Sequence, residues 1–381
     1  MNNIAFFFAS EISPTSGGVE RVASIMFEEL SHNGYFIYTL YVNKKGYVDA
    51  IPNQHQLPSH DLTSEENASF IADFLKANNI KCLLNFGAIF NNSSRSVVEG
   101  CKRAKVPHIA IYHNTLEMPL LTNRYTRNLI QYPFVRSLLR TMLAIVQRLP
   151  FYKGASYIYK HSSDAIVLAN CYLDEYRFLI NLDNSNKLHA IYNPIPLTPP
   201  SAVDYSKKKN IALFVGRLEP QKNISFLLRA WAQANISDWT LKIVGNGSEL
   251  QILKNLCKSL RIEDSVSFEG HRNPIPYYEE AKLFCMTSIF EGFPMTLIEC
   301  QAFGCVPIIT DSYTAAPEIV KNNENGLLIK ANNLSAYSQA LKVLTSDNSL
   351  WERLSNKARL YSDKFDKKRI MNQWIDLLAK Y

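Results

Sequence analysis

Apolar positions along this chain follow two alternating periods, and the alternation predicts an architecture. Short continuous apolar runs read as buried strands at 4–9, 36–42, 81–86 and 108–112. Between them, apolar residues spaced three and four apart predict amphipathic helices at 19–33, 65–78 and 97–105. A second series of strand-like runs covers 211–215, 241–244, 266–269, 282–286 and 306–309. Strand and helix alternating in short units is the pattern of a parallel, doubly wound sheet. Two such series predict an α/β chain of two Rossmann-like domains. Between them lies Asn193-Pro-Ile-Pro-Leu-Thr-Pro-Pro-Ser201, too rich in proline for a helix or a central strand. The domains are therefore placed at residues 1–194 and 195–366. The amphipathic stretch 367–381, with Ile370, Trp374, Leu377 and Leu378 at helical spacing, either caps the second domain or crosses back onto the first. Domains of this kind offer the carboxyl ends of their strands to a shared cleft, where ligands collect.

Composition narrows the class. A chain of 381 residues with 47% apolar content can fill two cores. No run of eighteen uncharged apolar residues occurs, so no membrane-spanning helix is expected. The apolar opening, residues 2–9, has no basic leader and is followed by Glu11 and a glycine turn, which reads as a first strand rather than a signal peptide. Seven cysteines include no Cys-x-x-Cys pair, and Cys82, Cys171, Cys257, Cys285 and Cys300 fall in apolar or helical patterns. That points to reduced thiols in a cytosolic chain. The eight histidines show no metal-ligand spacing, so no metal centre is expected. The net charge of +7 is unevenly spread: residues 118–163 contain no acid, while Arg124, Arg127, Arg136, Arg140, Arg148, Lys153 and Lys160 are interleaved with tyrosine, phenylalanine and leucine. This mixture suits an anionic bilayer surface. Nucleic acid or an ordinary basic helical hairpin would accept the same charges.

The candidate chemistry sits at strand ends. Glu291-Gly-Phe-Pro-Met-Thr-Leu-Ile-Glu299 follows the apolar run 282–290 and leads into a helix, with one carboxylate before the helix and one in its second turn. Pro294 fits the first helical turn, which leaves the N–H groups of Met295 and Thr296 as an anion site. Acids flanking a phosphate-sized hole suit a ligand that offers hydroxyls to the acids and phosphate to the helix end. A well-capped helix start would carry the same acids for the dipole alone. Thr15-Ser-Gly-Gly-Val-Glu-Arg21 follows the first strand, where Gly17 and Gly18 let backbone approach an anion. It lacks the Gly-x-Gly-x-x-Gly spacing of a dinucleotide fingerprint. Leu213-Phe-Val-Gly-Arg-Leu-Glu-Pro-Gln-Lys-Asn223 places Gly216 at a strand end, with Arg217 and Lys222 on the loop beyond it. Two permanent cations there can neutralise a diphosphate leaving group. Gly245-Asn246-Gly247 and Phe268-Glu-Gly270-His271-Arg272 end further strands of the same sheet, and either could hold a nucleotide base through backbone contacts.

The ordered set Gly17-Gly18-Val-Glu20-Arg21, Tyr192-Asn193-Pro194, Gly216-Arg217 to Lys222, Gly245 to Gly247 and Glu291-Gly-Phe-Pro to Glu299 resembles the family-4 retaining glycosyltransferases of GT-B architecture, over nearly the whole chain. The resemblance implies that Arg217 and Lys222 hold the donor diphosphate, which Gly17 and Gly18 approach from the first domain. It implies that Glu291 bonds sugar hydroxyls near C3 and C4, and that Glu299 takes the ribose hydroxyls. The Met295 and Thr296 amides would complete the cradle, with Asn193, Gly292, Phe293 and Pro294 on the donor side. His113, at the end of a first-domain strand, would lie near the sugar's C6 hydroxyl. Many members carry His-Asp there; this chain has His113-Asn114, which leaves the protonation state and role of His113 open. The implied protein is a metal-independent, retaining hexosyl- or N-acetylhexosaminyltransferase. Its donor would be a nucleotide sugar, with a UDP-sugar the leading choice, and its acceptor a polyprenyl-diphosphate-linked saccharide. The product would be a bacterial surface polysaccharide such as O-antigen or capsule, assembled at the inner face of the cell membrane and without nucleic acid. The alternatives are a sugar-nucleotide epimerase of the same architecture and a non-catalytic glycan- or nucleotide-sugar-binding protein at the membrane surface.

Overall fold

The computed structural model describes residues 2–14, 17–87, 95–116, 134–135, 138–139, 141–142, 150–180 and 186–381. These group into two compact units. One comprises the described residues of Met1–Glu117, Phe134–Pro196 and Lys367–Tyr381, the other Leu197–Asp366.

The first unit is built on seven strands: β1 (Asn2–Ser10), β2 (Tyr35–Asn43), β3 (Gln54–Gln56), β4 (Leu83–Asn85), β5 (His108–Tyr112), β6 (Asp164–Val167) and β7 (Leu188–Ala190). Their order in the sheet is β3-β2-β1-β4-β5-β6-β7, and every pairing is parallel. Ile4, Ala5, Phe6, Phe7 and Phe8 are all buried, as expected of a central strand covered on both faces. The helix Glu65–Ala77 starts where the Ser64 hydroxyl accepts from the Asn67 amide, and it buries Ile71 and Leu75 against β1 and β2. The helix Lys367–Leu378 also belongs to this unit. It buries Ile370, Met371, Trp374, Leu377 and Leu378, and Lys367 pairs with Glu29 of the helix Gly18–His32 at 2.6 Å. Just beyond it, the Tyr381 hydroxyl donates to Asp164 at the start of β6.

The second unit has six strands: β8 (Lys209–Val215), β9 (Thr240–Val244), β10 (Val266–Gly270), β11 (Ala281–Met286), β12 (Val306–Thr310) and β13 (Leu327–Ile329). The order is β10-β9-β8-β11-β12-β13, again all parallel. Strand order reverses between β8 and β11, and ligands of open α/β sheets bind outside the carboxyl ends of the strands at such a point. The helix Ile224–Ala234 packs Ile224, Leu227, Leu228 and Trp231 onto this sheet.

Strands β3, β6, β7 and β13 carry too short a pattern to be read from sequence. Gln54-His55-Gln56 is polar, and β7 and β13 are three-residue edge strands. Their pairing comes from the neighbouring strand rather than from their own periodicity. All seven cysteines are free, and all but Cys171 are buried. Among the described residues no helix is long and apolar enough to cross a membrane.

One buried histidine couples the first sheet to pH. His108 lies inside β5, with Asn85 at 3.1 Å on one ring nitrogen and the Ser162 hydroxyl at 3.0 Å on the other. Burial, reinforced by His161 and Lys187, pushes its pKa down from 6.5 to about 3. The folded state holds it neutral while the unfolded chain protonates it near 6.5, so its share of stability is full above that pH and is lost as pH falls toward 3. Urea unfolding followed at pH 7 and pH 4.5 should therefore show a smaller acid-induced drop in midpoint for His108→Gln than for the wild type. Equal drops would exclude this coupling.

Candidate functional site

At the point of strand reversal, the loops leaving β8 and β11 are tied together by their backbones. The Ile289 amide donates to the Gln221 carbonyl at 2.8 Å, and the Gln221 side chain returns a bond to the Phe290 carbonyl at 2.7 Å. The Thr287 hydroxyl reaches the carbonyls of Lys222 and Asn223, each at 3.1 Å. Asn223 takes the left-handed conformation, φ 51°, which turns the chain from the short Pro220–Lys222 helix into the helix Ile224–Ala234. Asparagine tolerates that geometry better than other side-chain-bearing residues.

This brace sets one acid against one cation. Lys222 Nζ lies 2.5 Å from Glu291 Oε1, with the two side chains only 17% and 10% exposed. Arg217 stands exposed on the same loop. The helix Met295–Ala302 begins beside Glu291 without a side-chain cap, so the Met295 and Thr296 amides keep the unsatisfied donors of a helix start. Pro294 is one place further back than expected. It precedes the helix with an extended ψ of 107°, and Met295 opens the first turn. Residues Glu291, Gly292, Phe293, Pro294 and Met295 are all buried, and Phe293 packs edge-on against Phe365 at 5.5 Å.

Glu299 differs more from expectation. Its side chain has no exposed surface, and the Tyr278 hydroxyl donates to it at 2.9 Å. Its observed work is internal: it ties the helix Met295–Ala302 to the helix Ile275–Glu280.

The glycines of the second unit also have an internal explanation. A Cβ on Gly245 would overlap the carbonyl oxygen of Gly216 and sit 2.9 Å from its carbon. One on Gly247 would sit 2.7 Å from backbone atoms of Leu218. The loops after β8 and β9 are laced in contact by Gly216 N–H to Val244 O at 3.0 Å and Leu218 N–H to Asn246 O at 2.9 Å. Gly245 N–H then reaches Gly270 O at 2.8 Å, and Gly270 adopts φ +70°. The space that side chains would take at Gly245 and Gly247 is thus filled by the protein's own backbone, which packs this turn against the Arg217 loop. Asn246 and His271 are exposed.

In the first unit, Gly17 precedes the helix Gly18–His32, which has no side-chain cap. The Glu20 carboxylate folds against Gly17, while the space a Cβ would take on Gly18 is open. His113 follows β5, is 7% exposed, and stacks on Phe86 with ring centres 5.7 Å apart. Its Nε2 is buried without a partner among the described residues, and desolvation pushes its pKa down to about 4. It is therefore a neutral imidazole near pH 7. The next residues are pinned by the helix Cys171–Leu179: Glu175 accepts from the Thr115 hydroxyl and the Leu116 amide, both at 2.6 Å, and the Tyr176 hydroxyl donates to Asn114 O at 2.9 Å. Asn193 is buried in the same unit. Arg124, Arg127, Arg136, Arg140 and Arg148 lie outside the described residues, and Lys153 is exposed on the helix Pro150–His161. Sequence reasoning missed Gln221, Thr287 and Tyr278. Only the long-range brace gives them a purpose, and no local spacing signals it.

Two Rossmann-like parallel sheets are the fold of GT-B glycosyltransferases of known structure. Residues 201–361, within the second unit, match the family model Glycosyl transferases group 1. An uncharacterized glycosyltransferase of Haemophilus influenzae is 35% identical over 197 residues, 51% of this chain and 56% of its own. The Campylobacter jejuni N-acetylgalactosamine-N,N'-diacetylbacillosaminyl-diphospho-undecaprenol 4-alpha-N-acetylgalactosaminyltransferase is 35% identical over 188 residues, 48% of this chain and 51% of its own. The match thus spans about half the length of these curated relatives. The structure of Anabaena HepE in complex with UDP and glucose aligns over 100% of both chains with a TM-score of 0.75 at 17% identity, a likeness of fold.

The contact between loops makes a direct prediction. Gly245→Ala should destabilise the protein by roughly 2 kcal/mol or more, since backbone must move to admit the methyl group. Gly18→Ala should stay within about 0.5 kcal/mol of wild type. Chemical denaturation of the two variants separates them, and equal stabilities would contradict the packing described.

Proposed function

We propose that this protein is a retaining, metal-independent glycosyltransferase. It moves a sugar from a nucleotide donor, a UDP-sugar in the first instance, to a lipid-linked or growing saccharide acceptor in bacterial surface polysaccharide synthesis. The observation that carries this reading is the meeting of Lys222 and Glu291 at the strand reversal, beside exposed Arg217 and an uncapped helix start. Lys222, Arg217 and the Met295 and Thr296 amides take the diphosphate, whose negative charge grows as its bond to the sugar breaks. With those groups neutralising the charge, no metal ion is needed. Glu291 accepts hydrogen bonds from hydroxyls of the transferred sugar. His113, in the first unit, serves as a neutral hydrogen-bonding imidazole rather than as a general base. The acceptor oxygen bonds to the anomeric carbon on the face from which the diphosphate leaves, the C–O bond to phosphate breaks, and the acceptor's proton passes to a leaving phosphate oxygen.

Support for the donor and acceptor classes comes from the Anabaena structure, which holds UDP and glucose, and from the Campylobacter relative, whose name places its acceptor on diphospho-undecaprenol. An acceptor carried by lipid gives the acid-free segment 118–163 a use at the inner membrane face. Phe134, Leu138 and Met142, four residues apart in that segment, are exposed, Phe134 to 81%. Such a row of apolar side chains between basic residues suits insertion at a headgroup boundary.

Purified protein incubated with labelled UDP-sugars and a polyprenyl-diphosphate saccharide should release UDP only when acceptor is present. Free epimerised donor, or binding without turnover, would assign it to another class. Glu291→Ala and Lys222→Ala should each lower turnover at least about a hundredfold, and near-wild-type rates in both would sink the site assignment. Sedimentation with anionic vesicles tests the surface: Arg136, Arg140 and Arg148 changed together to Glu should leave the protein in the supernatant, and retained binding refutes this contact.

A further inference from the structure

We infer that Lys222 and Glu291 form a partner-exchange pair, in which a diphosphate must take Lys222 before Glu291 becomes available to a sugar. The inference rests on the proposed reading that Lys222 receives the donor diphosphate. Both side chains come from segments fixed by main-chain bonds, Ile289 to Gln221 and Gln221 to Phe290, so their contact is imposed by the loops rather than by chance at a surface. At 2.5 Å and mostly buried, the carboxylate occupies the cation that an incoming phosphate oxygen needs. The two anions compete for one ammonium. A diphosphate carries more charge than a carboxylate and gains Arg217 and the helix-start amides besides, so it wins the exchange.

Parting a mostly buried carboxylate from its cation is costly. Hydroxyl donors of a sugar attached to the same diphosphate offset that cost, because they reach Glu291 as Lys222 leaves it. A nucleoside diphosphate alone takes Lys222 and brings no hydroxyls for Glu291. The pair therefore discriminates in favour of the intact donor, and it weakens the hold on the nucleoside diphosphate once the sugar has gone. Glu291 thus acts twice, accepting hydrogen bonds from the donor sugar before transfer and competing for Lys222 to help expel the product afterwards.

The consequence runs against ordinary expectation for a binding residue. By isothermal titration, Glu291→Gln should bind UDP and inorganic pyrophosphate about tenfold more tightly than wild type while losing transfer activity. Lys222→Met should bind both more weakly, and adding Glu291→Gln to Lys222→Met should leave the affinity unchanged, since the competition needs the ammonium. This double variant also guards against a folding effect of Glu291→Gln alone. If wild type binds neither probe, or Lys222→Met binds them as well as wild type does, the diphosphate site itself falls and the exchange with it. If binding depends on Lys222 but Glu291→Gln binds no tighter, or tightens equally in both backgrounds, the exchange is wrong and the diphosphate site stands.

Discussion

The second unit is organised by one constraint: β8 and β11 are neighbours in the sheet, yet the connections leaving them turn to opposite sides. Side-by-side strands with diverging exits leave a gap at their carboxyl ends, and the polypeptide must satisfy the backbone groups that line it. Here it does so with Gln221, Thr287 and the carbonyls of Lys222, Asn223 and Phe290. Everything of chemical interest follows from that closure. Lys222 and Glu291, 69 residues apart in sequence, are brought within hydrogen-bond distance where these two braced loops meet. Removing one partner of such a mostly buried pair leaves the other without its counter-charge, a loss on the order of several kcal/mol.

Glycine has an equally mechanical role. Glycine-rich turns at strand ends are commonly read as room for a ligand, but the two after β9 make room for the neighbouring loop. Gly245 and Gly247 let the β9 exit press against Gly216 and Leu218, and the resulting ladder through Val244, Asn246 and Gly270 stiffens the segment that carries Arg217. Under the proposed function this bracing is useful, since a cation on a braced loop loses less freedom when an anion arrives. Glu299 belongs with these supports, holding one helix to another through Tyr278 beneath the exposed chemistry.

The first unit shows how burial tunes one histidine within a strand and another just past its end. His108 is enclosed with hydrogen-bond partners on both ring nitrogens, so it is a structural element of the sheet. His113, five residues on, is equally desolvated but stacks on Phe86 and keeps an unpartnered Nε2. A buried nitrogen with nothing to bond is costly unless something arrives to bond it. Its segment is fixed by Glu175 and Tyr176, which makes the unsatisfied nitrogen a held feature and not a loose one.

The strands that lie at sheet centres, from β1 and β5 to β8 and β12, were legible because a strand covered on both faces must be continuously apolar. Helix starts, the proline-rich connection and the strand-end placement of Arg217, Lys222, Glu291 and His113 were legible for the same reason: local chemistry dictates local geometry. Short strands β3, β6, β7 and β13 were not, because their neighbours supply the pairing. Nor could spacing reveal that Glu299 is enclosed, that the glycine loop is occupied by backbone, or that the predicted phosphate cation already holds the predicted sugar acid. Those facts depend on which distant segments share a sheet edge. Sequence determined which groups stand at strand ends; only tertiary packing decided which of them touch, because contacts between residues 69 apart arise from strand order and not from periodicity.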